Sequence, residues 1–142
     1  MKGFEAYAIL DPVTFNFEKA PDYWWTINPP TGGDELAMAR FFATKRTRIL
    51  QDGMVEESYT TGTEVMHREI ALTFGGTNIP LDPEKPVEKG GAPLIDPTLS
   101  KIDIEEKLKD LPGMMLKEIW GHVGEAVPNW GPEDPKGRPR NG

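Results

Sequence analysis

Thr63-Glu64-Val65-Met66-His67-Arg68-Glu69-Ile70-Ala71-Leu72-Thr73-Phe74-Gly75-Gly76 is the stretch on which the fold turns. Thr63 is a residue type that caps helices, because its hydroxyl accepts a backbone N–H that the first turn leaves unpaired. From Glu64 to Phe74 the apolar residues Val65, Met66, Ile70, Ala71, Leu72 and Phe74 form a wide arc, and Met66, Ile70 and Phe74 recur every four residues. A helix with so wide an arc needs cover on more than one side, which puts it at the centre of a core. Gly75-Gly76 are suited to the left-handed stop at a helix end. The spacing predicts a central helix over 64–74.

Toward the N-terminus, Val13-Thr14-Phe15-Asn16-Phe17-Glu18 alternates apolar and polar residues, the period of a half-buried strand. Ala20-Pro21-Asp22 reads as a turn, and Tyr23-Trp24-Trp25-Thr26-Ile27 is aromatic and β-branched, favouring a second strand. Such a hairpin is barely stable alone and must pack on something. Asn28-Pro29-Pro30-Thr31-Gly32-Gly33 is a loop, and Thr31 or Asp34 can cap a helix over 34–44 with Ala37, Met38, Phe41 and Phe42 on one face. Gln51-Asp52-Gly53, between Arg48-Ile49-Leu50 and Met54-Val55, is the turn of a second short hairpin.

Toward the C-terminus, Pro80, Pro83, Pro86, Pro93 and Pro97 exclude a helix and argue against a central strand, so 77–99 is expected to be a mobile linker. Ser100 or Asp103 can cap a helix over 104–111 with Ile104, Leu108 and Leu111 on one stripe and a Glu105–Lys109 pair. Pro112 suits the first turn of a further helix carrying Leu116, Ile119, Trp120, Val123 and Val127. Gly121 and Gly124 each weaken it by about 1 kcal/mol relative to alanine. The proline- and glycine-rich 128–142 is expected to be disordered. The fold class is thus α+β: short N-terminal β-hairpins packed on two helices (1–76), a linker (77–99), a C-terminal helical pair (100–127) and a tail (128–142).

Composition narrows function by exclusion. The 142 residues carry a formal net charge of −7, which disfavours binding to nucleic-acid backbones and to anionic membrane surfaces. With no cysteine, thiolate metal sites, disulfides and thiol nucleophiles are ruled out. No apolar run approaches the ~20 residues of a membrane span, and the N-terminus does not read as a signal peptide, so the cytoplasm is the expected compartment.

Candidate chemistry is sparse. His67 and His122 lack the i,i+4 partner of a helical metal site. Glu56-Glu57 and Glu105-Glu106 are adjacent, so their carboxyls diverge and do not converge on one substrate atom. Gly32-Gly33 resembles an anion loop without the lysine of a P-loop. No catalytic, cofactor-binding or metal-ligating residue is therefore expected. Trp24 and Trp25, as strand neighbours, face opposite sides, so one of them faces a loop, a helix or a partner. Leu116, Ile119, Trp120 and Val123 either dock on the core or grip a partner protein.

Several segments together resemble the tail assembly chaperones of long-tailed bacteriophages: Tyr23-Trp24-Trp25 with Pro29-Pro30-Thr31-Gly32-Gly33-Asp34-Glu35, Thr63 to Phe74 closing with Gly75-Gly76-Thr77-Asn78-Ile79-Pro80, and Glu118-Ile119-Trp120 with Pro128-Asn129-Trp130-Gly131-Pro132. The resemblance implies a protein of the bacterial host cytoplasm that coats the tape measure protein, keeps it soluble, helps recruit tail tube protein and leaves before the virion is finished; self-association is compatible with that role. It implies no enzyme activity and no cofactor. Leu116, Ile119, Trp120, Val123, Trp24 and Trp25 are the expected partner-binding residues. The alternatives are a structural protein of the virion tail or connector, and a small enzyme or nucleotide-binding protein.

Overall fold

Val13–Phe17 (β1) and Ala20–Ile27 (β2) form the N-terminal hairpin in a computed structural model that describes residues 11–43, 46–49, 55–58 and 62–132, the two four-residue segments by their backbone alone. Its turn is Glu18-Lys19, two residues earlier than expected. The register runs Val13↔Ile27 to Asn16↔Trp24 and then shifts to Phe17↔Ala20, leaving Pro21 in a bulge. A proline has no N–H to give to a ladder, and a bulge asks for none. The Pro21 carbonyl accepts instead from Asn16 Nδ2 at 2.9 Å.

Gly32–Ala43 forms α1, Gly62–Leu72 forms α2, and between them Arg46–Ile49 (β3) pairs antiparallel with Val55–Ser58 (β4). The α1 start is doubly capped: Thr31 Oγ1 accepts the Asp34 N–H at 3.2 Å, while Asp34 Oδ2 accepts the Thr31 N–H at 2.9 Å. The α2 helix stops earlier than expected. Thr73 Oγ1 turns back to the Glu69 carbonyl at 2.7 Å, and Phe74–Thr77 becomes a strand, β5.

Here the expectation of a glycine stop is corrected. Gly75 and Gly76 lie inside a strand that pairs antiparallel with β2 through Trp25↔Thr77, Thr26↔Gly76 and Ile27↔Phe74, giving a three-stranded sheet in the order β1-β2-β5. Gly75 is there for close approach, and Gly76 for its φ of 150°. A Cβ at Gly75 would lie 2.6 Å from Asn28 Oδ1 and 2.9 Å from Thr26 Cγ2.

Lys101–Leu108 (α3) is capped by Ser100, whose Oγ accepts the Asp103 N–H at 3.2 Å, and Gly113–Ala126 (α4) follows Pro112. The expected Glu105–Lys109 pair does not form: Lys109 pairs with Glu106 at 2.9 Å, and Glu105 reaches Arg68 of α2 at 3.1 Å.

One apolar cluster runs through all of this. Phe17, Trp25, Ile27 and Phe74 from the sheet meet Met66, Ile70 and Ala71 of α2, Ile104 and Leu108 of α3, and Leu116, Ile119 and Val123 of α4. Trp25 is its aromatic centre, edge-on to Phe74 at 4.9 Å and to Phe17 at 6.4 Å. Full burial of each such side chain stabilises the fold by roughly 1.5–3 kcal/mol. The α+β class is as the sequence implies, but the separation into an N-terminal core and a C-terminal pair is not seen. Strands from the first half and helices from the second share the interior.

The stretch expected to be a linker explains how. Ile79 and Ile95 are buried in the same cluster. The chain between them is closed by the Leu94 N–H on the Ile79 carbonyl at 2.7 Å and the Leu81 N–H on the Ala92 carbonyl at 3.0 Å. Asn78, also buried, accepts the Trp24 N–H and donates to the Asp22 carbonyl and to Glu88 Oε1. The prolines leave room only for a single 3-10 turn at Val87–Lys89 and an isolated bridge between Pro80 and Pro93, and two isoleucines and one asparagine pin the loop. The tail expected to be disordered from 128 likewise begins with ordered residues, because Trp130 is 5% exposed; residues 133–142 lie outside the described residues.

Candidate functional site

The six residues expected to grip a partner are not brought together. Leu116 is 3% exposed, and Ile119, Val123 and Trp25 are fully buried. This corrects the expectation for these four. The stripe of Leu116, Ile119 and Val123 on α4 is covered by the chain's own sheet, Trp25 included, and by α2, so it offers nothing to a partner in this conformation. An apolar stripe in a sequence states that a face is covered, not by what.

Trp24 and Trp120 are each half-buried and lie apart. The Trp24 ring lies over Gly76, where a Cβ would sit 3.7 Å from it, and with Thr14, Asn16 and Thr26 it lines a shallow hollow on the sheet face away from the core. The Thr14 and Thr26 hydroxyls are 2.7 Å apart there.

Trp120 leads to a feature that the sequence reasoning missed. Its Nε1 donates to Glu69 Oε1 at 2.8 Å, and the same oxygen accepts the Gly131 N–H at 2.8 Å. Glu69 sits on α2 between Met66 and Ile70 and is 3% exposed. Burial pushes its pKa above the usual carboxylate range; the two donors oppose the shift, and the nearby Glu35 charge adds to it. The segment beyond α4 is keyed into this place. Asn129 turns with φ 68°, Trp130 Nε1 donates to Glu35 Oε2 at 3.2 Å, and Gly131, with φ 91°, lies against the Gly124 backbone too closely for any side chain. The available signal was a glutamate inside an apolar arc, together with a tryptophan-glycine pair in an otherwise polar tail.

Chemically the arrangement is a clasp. Its carboxyl oxygen is committed to two N–H donors that fix α4 and the returning chain on α2. Of the histidines, His67 Nδ1 donates to the Thr63 carbonyl at 2.8 Å, and His122 stacks on Phe15 with ring centroids 3.8 Å apart. Among the described residues, no group of three or more His, Asp or Glu side chains is placed to hold a metal ion. No helix among them is long and apolar enough to cross a membrane.

Among the hollows of the described surface, one is largely apolar. A groove of about 460 Å³ runs between the β1–β2 turn and the first turn of α4, lined by Phe17, Ala20, Pro112, Met114 and Met115 and edged by Lys19, Lys117 and Glu118. Met114 is 71% exposed. The mouth is held by the Glu18 N–H donating to Glu118 Oε2 at 3.0 Å.

Fold and site thus define a small α+β protein with a three-stranded antiparallel sheet, a carboxylate clasp and an exposed methionine groove. Compared with known proteins, the chain matches no family model, no curated protein sequence and no solved structure.

Proposed function

We propose that this chain is a protein-binding assembly factor without chemistry of its own, of the tail assembly chaperone type. It holds an apolar stripe of the helical tape measure protein out of water in the host cytoplasm, helps recruit tail tube subunits, and is then released. The observation that carries the reading is the groove beside α4. Methionines are unbranched and polarizable, so Met114 and Met115 can repack against many apolar shapes. Lysines and a glutamate at its rim suit a partner helix whose flanks are charged. The resemblance of Tyr23-Trp24-Trp25 with Pro29 to Glu35, of Thr63 to Pro80, and of Glu118-Ile119-Trp120 with Pro128 to Pro132 to such chaperones supplies the partner.

The test is co-expression with the candidate tape measure protein, scored by soluble yield and pull-down. The wild-type chain is expected to raise the yield, and Met114→Glu to raise it markedly less at an unchanged melting temperature, because Met114 is exposed and its replacement buries no charge. Equal rescue by Met114→Glu would remove the groove from the account. No rescue by the wild type, with the chain present at fixed stoichiometry in purified virions, would favour a structural tail or connector protein.

A further inference from the structure

The three-stranded sheet has one covered edge and one open edge. At β5, Phe74, Gly76 and Thr77 are buried. At β1, Val13, Thr14 and Asn16 are exposed, and among the described residues β1 pairs with β2 alone. Which backbone groups of β1 face outward follows from Trp24. Its N–H donates to Asn78 Oδ1 and its carbonyl accepts from Thr77 Oγ1, so both are turned to the β5 side. In an antiparallel ladder, facing pairs alternate between hydrogen-bonded and non-bonded. Asn16, opposite Trp24, therefore has its N–H and carbonyl turned outward, and so has Thr14, opposite Thr26. This open run is bounded on both sides: Pro12 has no N–H to offer, and the Glu18 N–H is taken by Glu118. Natural sheets guard an exposed edge with charge or proline. Val13-Thr14-Phe15-Asn16-Phe17 has neither.

We propose that β1 is a self-pairing edge, on which a second copy of the chain docks its own β1 antiparallel about a two-fold axis at Phe15, joining the two sheets into one. The register follows from the open groups. With Phe15 on the axis, Thr14 lies opposite Asn16 of the other copy and Asn16 opposite Thr14, so every outward N–H and carbonyl of the run finds its complement. An axis at Thr14 would set Asn16 against Pro12, which lacks the N–H. An axis at Asn16 would set Thr14 against Glu18, whose N–H is engaged. A slip by one residue would set the apolar face of one copy beside the polar face of the other. About Phe15 the faces agree. Val13, 40% exposed, gains Phe17 of the other copy as its neighbour, and Phe15, already stacked on His122, meets its own image as a cross-strand aromatic pair. The net charge of −7 repels two copies elsewhere, but this strand is uncharged. Because the pairing is two-fold and the β5 edge is covered, it closes at a dimer and does not grow into a filament. Five residues a side fall well below the roughly twenty of a stable interface, so the dimer is weak and forms at high concentration. It belongs to the chain alone and does not rest on the chaperone reading.

The experiment is sedimentation equilibrium of the full chain, without any partner, at concentrations up to about 1 mM. The wild type is expected to show a reversible monomer–dimer equilibrium. Two double variants test the register. Thr14→Lys with Asn16→Lys sets like charges opposite each other across the axis, whereas Thr14→Lys with Asn16→Glu sets opposite charges there. Both change the same exposed positions and both lose the bond from Asn16 to the Pro21 carbonyl, so any effect on the hairpin is shared. Two such cross-strand pairs are worth on the order of a tenfold difference in dimer affinity, the lysine–glutamate variant being the tighter. Asn16→Pro removes an outward N–H that β2 does not use, and is expected to weaken the dimer by about tenfold. A wild-type chain that stays monomeric throughout, equal affinity in the two double variants, or an Asn16→Pro dimer as tight as the wild type would each overturn the self-pairing edge. Failure of co-expression rescue with the dimer intact would instead overturn only the partner reading.

Discussion

The α1 and α2 helices are nearly the same length and carry similar numbers of large apolar side chains, yet they do different work. In α2 the apolar residues fall on one arc, and Met66, Ile70, Ala71 and Leu72 are all inside. In α1, Ala37, Met38, Phe41 and Phe42 share one broad face and Leu36 lies opposite it, but the contact with the rest of the fold is narrow: it buries Met38 and half-covers Phe41, and leaves Leu36 and Phe42 in water. Local quality points the other way, since α1 has the reciprocal cap. A helix's place in the protein is set by the arrangement of its apolar area; caps add about 1 kcal/mol and define an end.

The sharpest way to break this comparison is a charge on each helix. Ile70→Asp buries an unpaired carboxylate at a fully covered position and is expected to cost several kcal/mol, enough to unfold the chain. Phe42→Asp, on the exposed side of α1, should change stability by no more than about 0.5 kcal/mol. Thermal melting by circular dichroism distinguishes them, and similar losses in both would erase the distinction.

The clasp that α2 carries comes next in size. Glu69→Ala strands the Trp120 indole N–H and the Gly131 N–H, and is expected to cost roughly 2–4 kcal/mol. Glu69→Gln keeps an acceptor oxygen and should cost much less. The pH dependence has a definite sign. The folded-state pKa of Glu69 is raised above its ordinary value of 4.5, so the folded state binds the extra proton more tightly. That contribution is fully present below the unfolded pKa and is lost as pH rises through the folded one. Urea unfolding at a series of pH values should show stability falling across that window in the wild type and less so in Glu69→Gln. An identical slope in both would show that the carboxyl is not desolvated.

The smallest effects are expected at two glycines of the α4 region, with opposite signs. Gly131→Ala meets the Gly124 backbone at φ 91° and should lose about 1–3 kcal/mol. Gly121→Ala meets nothing within 4 Å, so in a helix interior it should gain about 0.5–1 kcal/mol. Chemical denaturation of the pair would sharpen the boundary between the helix and the strap that follows it.

Much of the fold was legible because periodicity is local. The alternation in 13–18, the arc in 64–74 and the stripe through Leu116, Ile119 and Val123 each marked an element that is present, although the helix of the arc ends at Leu72. What was not legible depends on contacts distant in sequence. Phe74-Gly75-Gly76-Thr77 looks like a helix stop until β2 is beside it, when the missing Cβ of Gly75 becomes the room that the Thr26 and Asn28 side chains need. The 77–99 stretch looks like a linker because its anchors, Asn78, Ile79 and Ile95, are few among prolines. The candidate surface failed for a related reason. The stripe on α4 was read correctly as apolar, but its cover is β1, β2 and α2 of the same chain. Glu69 was passed over because a carboxylate within an apolar arc has no local partner; its donors, Trp120 and Gly131, lie 51 and 62 residues away.

The claim beneath all of this is that one core, not two, holds sheet, loop and C-terminal helices together. Isoleucine methyl signals followed by NMR through a urea titration test it directly, because Ile27 reports on β2, Ile70 on α2, Ile95 on the proline-rich loop and Ile119 on α4, and all four are buried. A shared core predicts that all four native signals disappear at one urea midpoint. Earlier loss of Ile95 and Ile119, with Ile27 and Ile70 still native, would contradict it and restore an N-terminal domain that stands alone.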